Sequence, residues 1–395
     1  MSLVLILAGL VLVALALHPF TTYPLSLRLL ARLRFAPPAT PGGRVPRSAA
    51  FCVCAYNEER VIRAKIENML AMRAAMPSLE ILVYVDAASD RTAEIAREYR
   101  DQIRLVVSPA RLGKTHGMNT LVAATEAEIV VFSDANVVFA ADALPRLLAA
   151  FADPAVGCAC GHLIYTRPDE SATAVTGSLY WRIEERIKAL ENETGSVVGA
   201  DGSIFALRRA LHEPPPPDLI DDMYVSLAVL CAGGRIVRVA DAVAYEEAVS
   251  RPGEEFRRKV RIACQAFNVH RALWPRLRRL PLLDRYKYVS HKLLRWLTIY
   301  LAAAGGTLVL AGLALAGAWV AAAVLVGFGG LGLAAVMFAR GGPLAKARDI
   351  LGAFAATGLG VWRSLRGDRF QTWNPPASAR DAVPMARAEV VGAEG

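Results

Sequence analysis

"AAFCVCAYNEERVIRAKIENMLAM", residues 49–72, decides the fold of this chain. Its first seven residues are apolar, too few for a buried helix and bounded by a polar turn, so they read as a strand. A longer amphipathic, helix-like stretch follows. The pattern then repeats: "LEILVYV" before "RTAEIAREYR", "IRLVVS" before "GKTHGMNTLVAATE", and "AEIVVFS" before "DALPRLLAAF". Strands that alternate with helices predict an α/β fold with a mostly parallel central sheet covered on both faces. In such sheets the ligand lies beyond the carboxyl ends of the strands. The residues there are Tyr56-Asn57-Glu58, Asp86, Ser108 with Pro109, and Asp134-Ala135-Asn136. They collect carboxylates and amides that ordinary loops do not need. The glycines of these loops do not form G-x-G-x-x-G, so a dinucleotide is not expected. Gly113 and Lys114 open a helix, where backbone amides and an ammonium suit a diphosphate.

Outside this region the composition changes. The chain has 395 residues, 54% of them hydrophobic, and the apolar residues concentrate at the two ends. Residues 2–17 carry no charge, and 296–339 form an uncharged run about twice the length of one span, hence a hairpin. No Lys or Arg precedes the first run. Arg28, Arg32, Arg34, Arg44 and Arg47 follow it, with no acid before Glu58. That bias predicts an anchor with its N-terminus outside and the following chain cytoplasmic, as in a bacterial-type inner membrane. Residues 251–295 carry 13 Lys and Arg against 3 acids just before the hairpin, which fits contact with anionic membrane lipids. The net charge of +9 is therefore not a nucleic-acid signal, and no nucleic-acid module is present. Cys52, Cys54, Cys158 and Cys160 form two C-x-C pairs in apolar strand-like stretches, so they read as small core residues rather than zinc ligands.

Adjacent carboxylates, Asp221 and Asp222, stand at the head of "IDDMYVSLAVLCAGG", 220–234. One Asp satisfies helix capping; a second beside it adds like-charge repulsion and points to chemistry. "GADG" at 199–202 is a turn carrying Asp201, and "PPPP" at 214–217 is a stiff connector.

The order of these motifs resembles the membrane-anchored family 2 glycosyltransferases, the group that includes cellulose, chitin and hyaluronan synthases. "CAYNEE" resembles the first nucleotide loop, "VDAASDRT" the D-G-S-T-D-G-T turn, and "LGKTHGMN" the G-K-x-x-x-L-N element. "SDAN" stands at the D-x-D position, "GADGSIFALRR" resembles the acceptor-side turn, and "IDDMYVSLAVLCAGGRIV" the stretch with the catalytic base. The resemblance implies a glycosyltransferase A-type fold that binds a nucleotide sugar, with transmembrane helices at both ends. It places Ala55, Tyr56, Asn57, Glu58, Asp86, Lys114 and Asp134 on the nucleoside diphosphate sugar, and Mg2+ or Mn2+ on Asp134 and Asn136. It makes Asp222 the base of an inverting transfer from a UDP-linked hexose or N-acetylhexosamine. Asp201, Asp221 and Arg261 fall on the acceptor side.

Two positions depart from the family pattern. Asn136 replaces the second acid of D-x-D. In "RRKVRIACQ", 257–265, Arg261 keeps the arginine of Q-x-x-R-W, but Arg258 and Ile262 replace the Gln and the Trp, removing the aromatic platform for a growing chain. Addition of one or a few sugars to a lipid-linked or membrane-proximal saccharide is therefore expected. A catalytically silent sugar-nucleotide-binding scaffold subunit, and a polybasic lipid-binding module, are the competing readings. The expected organisation is an anchor at 1–20, a basic linker at 21–47, the catalytic domain at 48–250, basic interface helices at 251–295, the hairpin at 296–339, and an interfacial helix with a cytoplasmic tail at 340–395. The apolar core 350–362 is short for a span and flanked by Lys346, Arg348, Arg363, Arg366 and Arg369, so three spans are expected. Trp373 then lies near the site and helps cover the donor, while the composition of 375–395 suggests a disordered end.

Overall fold

The computed structural model describes residues 1–33, 43–166, 172–247, 252–339 and 342–374. The end 375–395 and most of the Pro-rich part of the basic linker lie outside the described residues. Eight strands form one sheet: β1 (Ala49–Ala55), β2 (Leu79–Asp86), β3 (Arg104–Ser108), β4 (Ile129–Asp134), β5 (Val138–Phe139), β6 (Val156–Thr166), β7 (Phe205–Arg208) and β8 (Arg235–Glu247). Their order is β3-β2-β1-β4-β7-β6-β8-β5. The first four are parallel, as the alternation of strands and helices requires. β7 runs antiparallel to β4 and β6, β6 and β8 are parallel, and β5 lies antiparallel on β8. The expected mostly parallel α/β sheet is the one observed.

Both faces of this sheet are buried. Phe51 and Val53 of β1 join one apolar cluster with Ile81, Val83, Ile129 and Val131; Cys52 and Cys54 join the other with Leu82 and Phe132. A strand covered on both sides reads as a continuous apolar run, which is why 49–55 shows no alternation. Cys158 and Cys160 share the cluster of Cys52 and Cys54, and all four are free and buried. They act as small hydrophobes.

Among the described residues, three helices are long and apolar enough to cross a membrane: Ser2–Phe20, Leu282–Leu315 and Trp319–Phe338. The second begins earlier than the uncharged run, because a π-helical turn at Val289–Leu293 joins the basic segment to Leu294–Leu315 without a break. It packs on Ser2–Leu17 through glycines: a Cβ on Gly305 would stand 2.7 Å from the Gly9 carbonyl, and one on Gly312 2.8 Å from that of Ser2. Such close backbone approach is how helices associate where no hydrophobic drive separates them from lipid.

The short apolar core 350–362 belongs to a 24-residue helix, Gly342–Leu365, that buries only one face. Gly360 lies against Val260 and Ala263 of the helix Pro252–Leu277, and Gly358 against Ile299. The segment after it returns to the carboxyl ends of β1 and β2.

Candidate active site

The site forms where β1, β2 and β4 end, against the N-terminus of the helix Asp221–Cys231. Ala55 closes β1, and the next residues lace the first two loops together. Asn57 has φ 53° and its Oδ1 accepts from the Ser89 amide (2.9 Å), while the Glu58 amide donates to Thr92 Oγ1 (2.8 Å). Asp86 is fully buried. Its two oxygens accept the amides of Leu112 (2.7 Å) and Gly113 (3.0 Å), so it holds the Gly-Lys loop from behind. Gly113, at φ 92°, turns the chain into the helix Lys114–Ala123.

Lys114 is the electrostatic centre. Its Nζ lies 2.7 Å from Asp134 Oδ1 and 3.7 Å from Asp221 Oδ2. A Cβ on Gly202 would stand 2.8 Å from Asp222 Oδ2 and 3.4 Å from Lys114 Nζ, so Asp222 shares the same small space beside the Gly202 backbone. Burial opposes the charge on Lys114, but Asp134, Asp221 and Asp222 together hold its ammonium well above the ordinary lysine range. One cation thus serves three carboxylates. Asp222 bears the deficit: burial first, and Asp221 second, push its carboxyl up to about 7, against the pull of Lys114 and a bond from the Met223 amide (2.6 Å). The N-cap position falls on Ile220 and no side chain caps this helix. Asp221 therefore does not make the capping bond that its position suggested. Its Oδ2 is buried with no hydrogen-bond donor and faces Lys114 instead.

The other expected site residues divide into three groups. Arg261 bonds Gln265 Oε1 (2.9 Å), and its guanidinium is pushed down to about 10 by burial and by Arg258, against the attraction of Asp134, Asp222 and Asp221. It belongs to the same electrostatic field. Asp201 pairs with buried Lys188, and Asn136 is buried with its amide nitrogen committed to Glu246 Oε1 (3.0 Å). Trp373 sits with its ring 6.0 Å from that of Tyr56. The Arg111 guanidinium lies over the Tyr56 ring itself (3.7 Å to the centroid) and donates to the Trp373 carbonyl and to Asn374 Oδ1 (2.9 Å). Gln371 donates to the Leu112 carbonyl (2.9 Å), and Arg369 pairs with Asp218. The chain after Gly342–Leu365 is therefore a strap laid across the loops that follow β1 and β3.

Sequence reasoning missed Lys65, Arg111 and Lys188. Lys65 had a signal: it shares the face of Ile62, Ile66 and Met69 on the helix Ile62–Ala71, where a lysine is out of place unless it has a buried partner. Burial pushes its ammonium down to about 7, against the pull of Asp134. Arg111 had none, since its partner Trp373 lies far along the chain.

A divalent cation can be judged against these groups. The side of the pocket around Asp134 offers carboxylate oxygens, including the orphaned Oδ2 of Asp221, which suit a hard ion. Among the described residues no three His, Cys, Asp or Glu side chains gather into a ready-made metal cluster.

Residues 50–214 match the family model described as glycosyl transferase family 2. Among curated proteins, an N-acetylglucosaminyltransferase of Rhizobium sp. (strain N33) is 26% identical over 248 residues, covering 58% of this chain and 54% of the relative. One from Sinorhizobium fredii (strain NBRC 101917 / NGR234) is 26% identical over 263 residues, covering 62% and 63%. The chain thus matches little more than half the length of these relatives. Among solved structures, a mannosyltransferase from Pyrobaculum calidifontis, in complex with GDP-Man and Mn2+, superposes with a TM-score of 0.70 at 23% identity, covering 92% of this chain and 99% of that one. This similarity shows a shared fold. The matched segment runs from β1 through β7 and includes the loops at the carboxyl edge of the parallel strands, so this part of the chain is similar to glycosyl transferase family 2 domains.

Proposed function

We propose that this chain is an inverting glycosyltransferase that moves one or a few sugars from a nucleoside diphosphate sugar to a lipid-linked or membrane-proximal saccharide. The observation that carries the reading is Asp222, a carboxyl pushed up to about 7 that shares a small space with the Lys114 ammonium beside the Gly202 backbone. A carboxylate of that basicity accepts the proton of an attacking hydroxyl near neutral pH. Lys114, at a helix N-terminus, and Arg261 are positioned to take the charge of the departing diphosphate. Tyr56, Asn57, Glu58 and Asp86 shape the nucleoside end, and Asp201 and Asp221 border the acceptor.

Asp134 and Asn136 are the residues that would hold Mg2+ or Mn2+, with phosphate oxygens and water completing the shell; the Asn136 amide nitrogen is bonded to Glu246, and its oxygen is the atom that would face the ion. When bound, such an ion supplies Lewis-acid stabilisation of the leaving diphosphate. The GDP-Man and Mn2+ held by the Pyrobaculum calidifontis mannosyltransferase, and the names of the rhizobial relatives, support a nucleotide-sugar donor and an N-acetylglucosamine-type sugar among the candidates. Basic flanks before the first loop, and on both sides of 350–362, support a cytoplasmic catalytic domain on an inner membrane, with anionic lipid beneath 251–295. Membranes containing the chain, given labelled UDP-N-acetylglucosamine, UDP-glucose and GDP-mannose, test the proposal. Label in the lipid extract from one donor supports it; donor binding without any transfer would leave the scaffold reading in its place.

A further inference from the structure

A buried lysine lies behind the pocket, on the opposite side of β4 from Lys114. Lys65 projects from the helix Ile62–Ala71 and is 1% exposed. Its Nζ donates to Ser133 Oγ (2.7 Å) and to the Val137 carbonyl (2.7 Å). Those two acceptors flank the turn that carries Asp134 and Asn136. One helical turn further on, Asn68 grips the next residues: its Nδ2 donates to the Phe139 carbonyl (2.9 Å), and its Oδ1 accepts the Phe139 amide (2.9 Å). Residues three apart on a helix share a face, so two neighbouring side chains fasten 133–139 at four points.

A neutral donor would satisfy the two oxygens at less cost, because an ammonium buried against neutral acceptors is expensive. Here the charge finds compensation in two places. The rings of Phe51 and Phe139 lie 4.9 and 4.8 Å from Nζ, and the Asp134 carboxylate attracts it across the turn. We propose that Lys65 is a positioning residue for the transfer: it fixes the Asp134 turn from behind and holds that carboxylate at the angle from which it meets the donor diphosphate and its cation. The inference rests on the role given to Asp134 in the proposed function. It places the determinant of donor affinity in a helix that touches no ligand.

The test uses the full chain in detergent, with UDP or GDP plus Mn2+ as probes by calorimetry, and hydrogen exchange of the 133–139 peptide without nucleotide. Lys65→Met keeps the length and removes the charge and both bonds; Ser133→Ala removes the Lys65 bond to the hydroxyl and the longer bond from that hydroxyl to the Asp134 carbonyl (3.3 Å), leaves Lys65 on the Val137 carbonyl, and guards against misfolding of the first variant. Lys65→Met should weaken nucleotide binding about tenfold and Ser133→Ala about threefold, the scale of one or two lost hydrogen bonds. Exchange should quicken at 133–139 while the melting transition stays single. Nucleotide affinity within twofold of wild type in both variants overturns the proposal, whatever the exchange shows. If wild-type chain binds neither nucleotide, the donor reading fails by itself. The exchange then decides: quickening confined to 133–139 sustains the positioning role, and unchanged exchange ends it.

Discussion

Asp222→Asn removes a charge and little volume, and its consequences follow from the environment of the carboxyl. With its titration near 7, about a tenth of the sites carry the base form at pH 6 and about nine-tenths at pH 8. The rate at saturating donor should therefore rise about tenfold over that range in wild-type chain. The asparagine variant should lose at least about a hundredfold, roughly 2.7 kcal/mol of transition-state stabilisation, and become flat with pH. Stability moves the opposite way. The folded pKa lies above the unfolded value of about 3.9, so protonated Asp222 favours the folded chain at low pH, and that contribution is lost as pH rises through 7. The variant escapes this loss and should melt higher than wild type, by more at pH 8 than at pH 5. Sugar transfer in membranes and thermal melting of purified chain at the two pH values measure both effects. Turnover near wild type would refute the base assignment, and a melting difference independent of pH would refute the raised titration.

Lys114→Met frees Asp134 from its 2.7 Å partner, so Mn2+ alone should bind several-fold tighter than to wild type, while UDP with Mn2+ binds more weakly. Paramagnetic resonance titration reads both, and equal Mn2+ affinities would contradict the role of Lys114 as resident cation. Ala87 stands where the family turn has glycine and is held at φ 50°, so Ala87→Gly should stabilise the chain by about 1 kcal/mol; a lower melting temperature would show that the strain is not there. Trp373→Ala opens the strap over Tyr56 and should raise donor hydrolysis relative to transfer, since water then competes with the acceptor. An unchanged ratio of free sugar to product removes Trp373 from the donor cover. Cysteines introduced at Ser89 and Arg366 should be labelled from the same membrane face, accessible in inverted vesicles. Labelling of Arg366→Cys from the opposite face would make Gly342–Leu365 a fourth span.

Much of the donor side was legible because it is local. A strand, a turn and a helix in series announce themselves within 24 residues at 49–72, and the residues after each strand must face the crevice. Lys114, Asp134 and Asp222 could be named from that rule and the motif order, and the structure gathers them around one ammonium. What remained hidden depends on partners distant in sequence. The Asn136 amide nitrogen is bonded to Glu246 on β8, a partner that nothing in "SDAN" reveals. Asp221 looked like a cap because helix geometry is local, whereas Lys114 approaches from another element. The strap could be guessed from Trp373, but its grip depends on Arg111 and Gln371, whose pairing no spacing encodes.

The side of the pocket that the proposed function gives to the acceptor is built differently, and this explains why its sequence says less. Glu191, at the end of the helix Ala172–Glu193, accepts from Tyr23 (2.6 Å) and from the Val198 amide (3.1 Å), and lies 2.7 Å from His291. Lys287 donates to the carbonyls of Glu191 (3.1 Å), Thr194 (3.0 Å) and Ser196 (3.0 Å). Tyr23, Lys287 and His291 come from the segments that enter or follow the apolar helices. The loop they hold continues to Ala200, whose amide donates to Ser226 Oγ (3.1 Å), and that hydroxyl donates to the Asp222 carbonyl (2.6 Å). Asp222, the base of the proposed transfer, is thus fixed from two directions. The sheet supplies Lys114 and Asp134 on the donor side, while the membrane-proximal segments set the loop carrying Asp201 and Gly202. A shift of those segments would move the loop carrying Asp201 and Gly202 while β1, β2 and β4 keep Lys114 and Asp134 in place, and it would be felt at Asp222 and at Glu246, which accepts both from Asn136 (3.0 Å) and from Ser203 Oγ (3.4 Å).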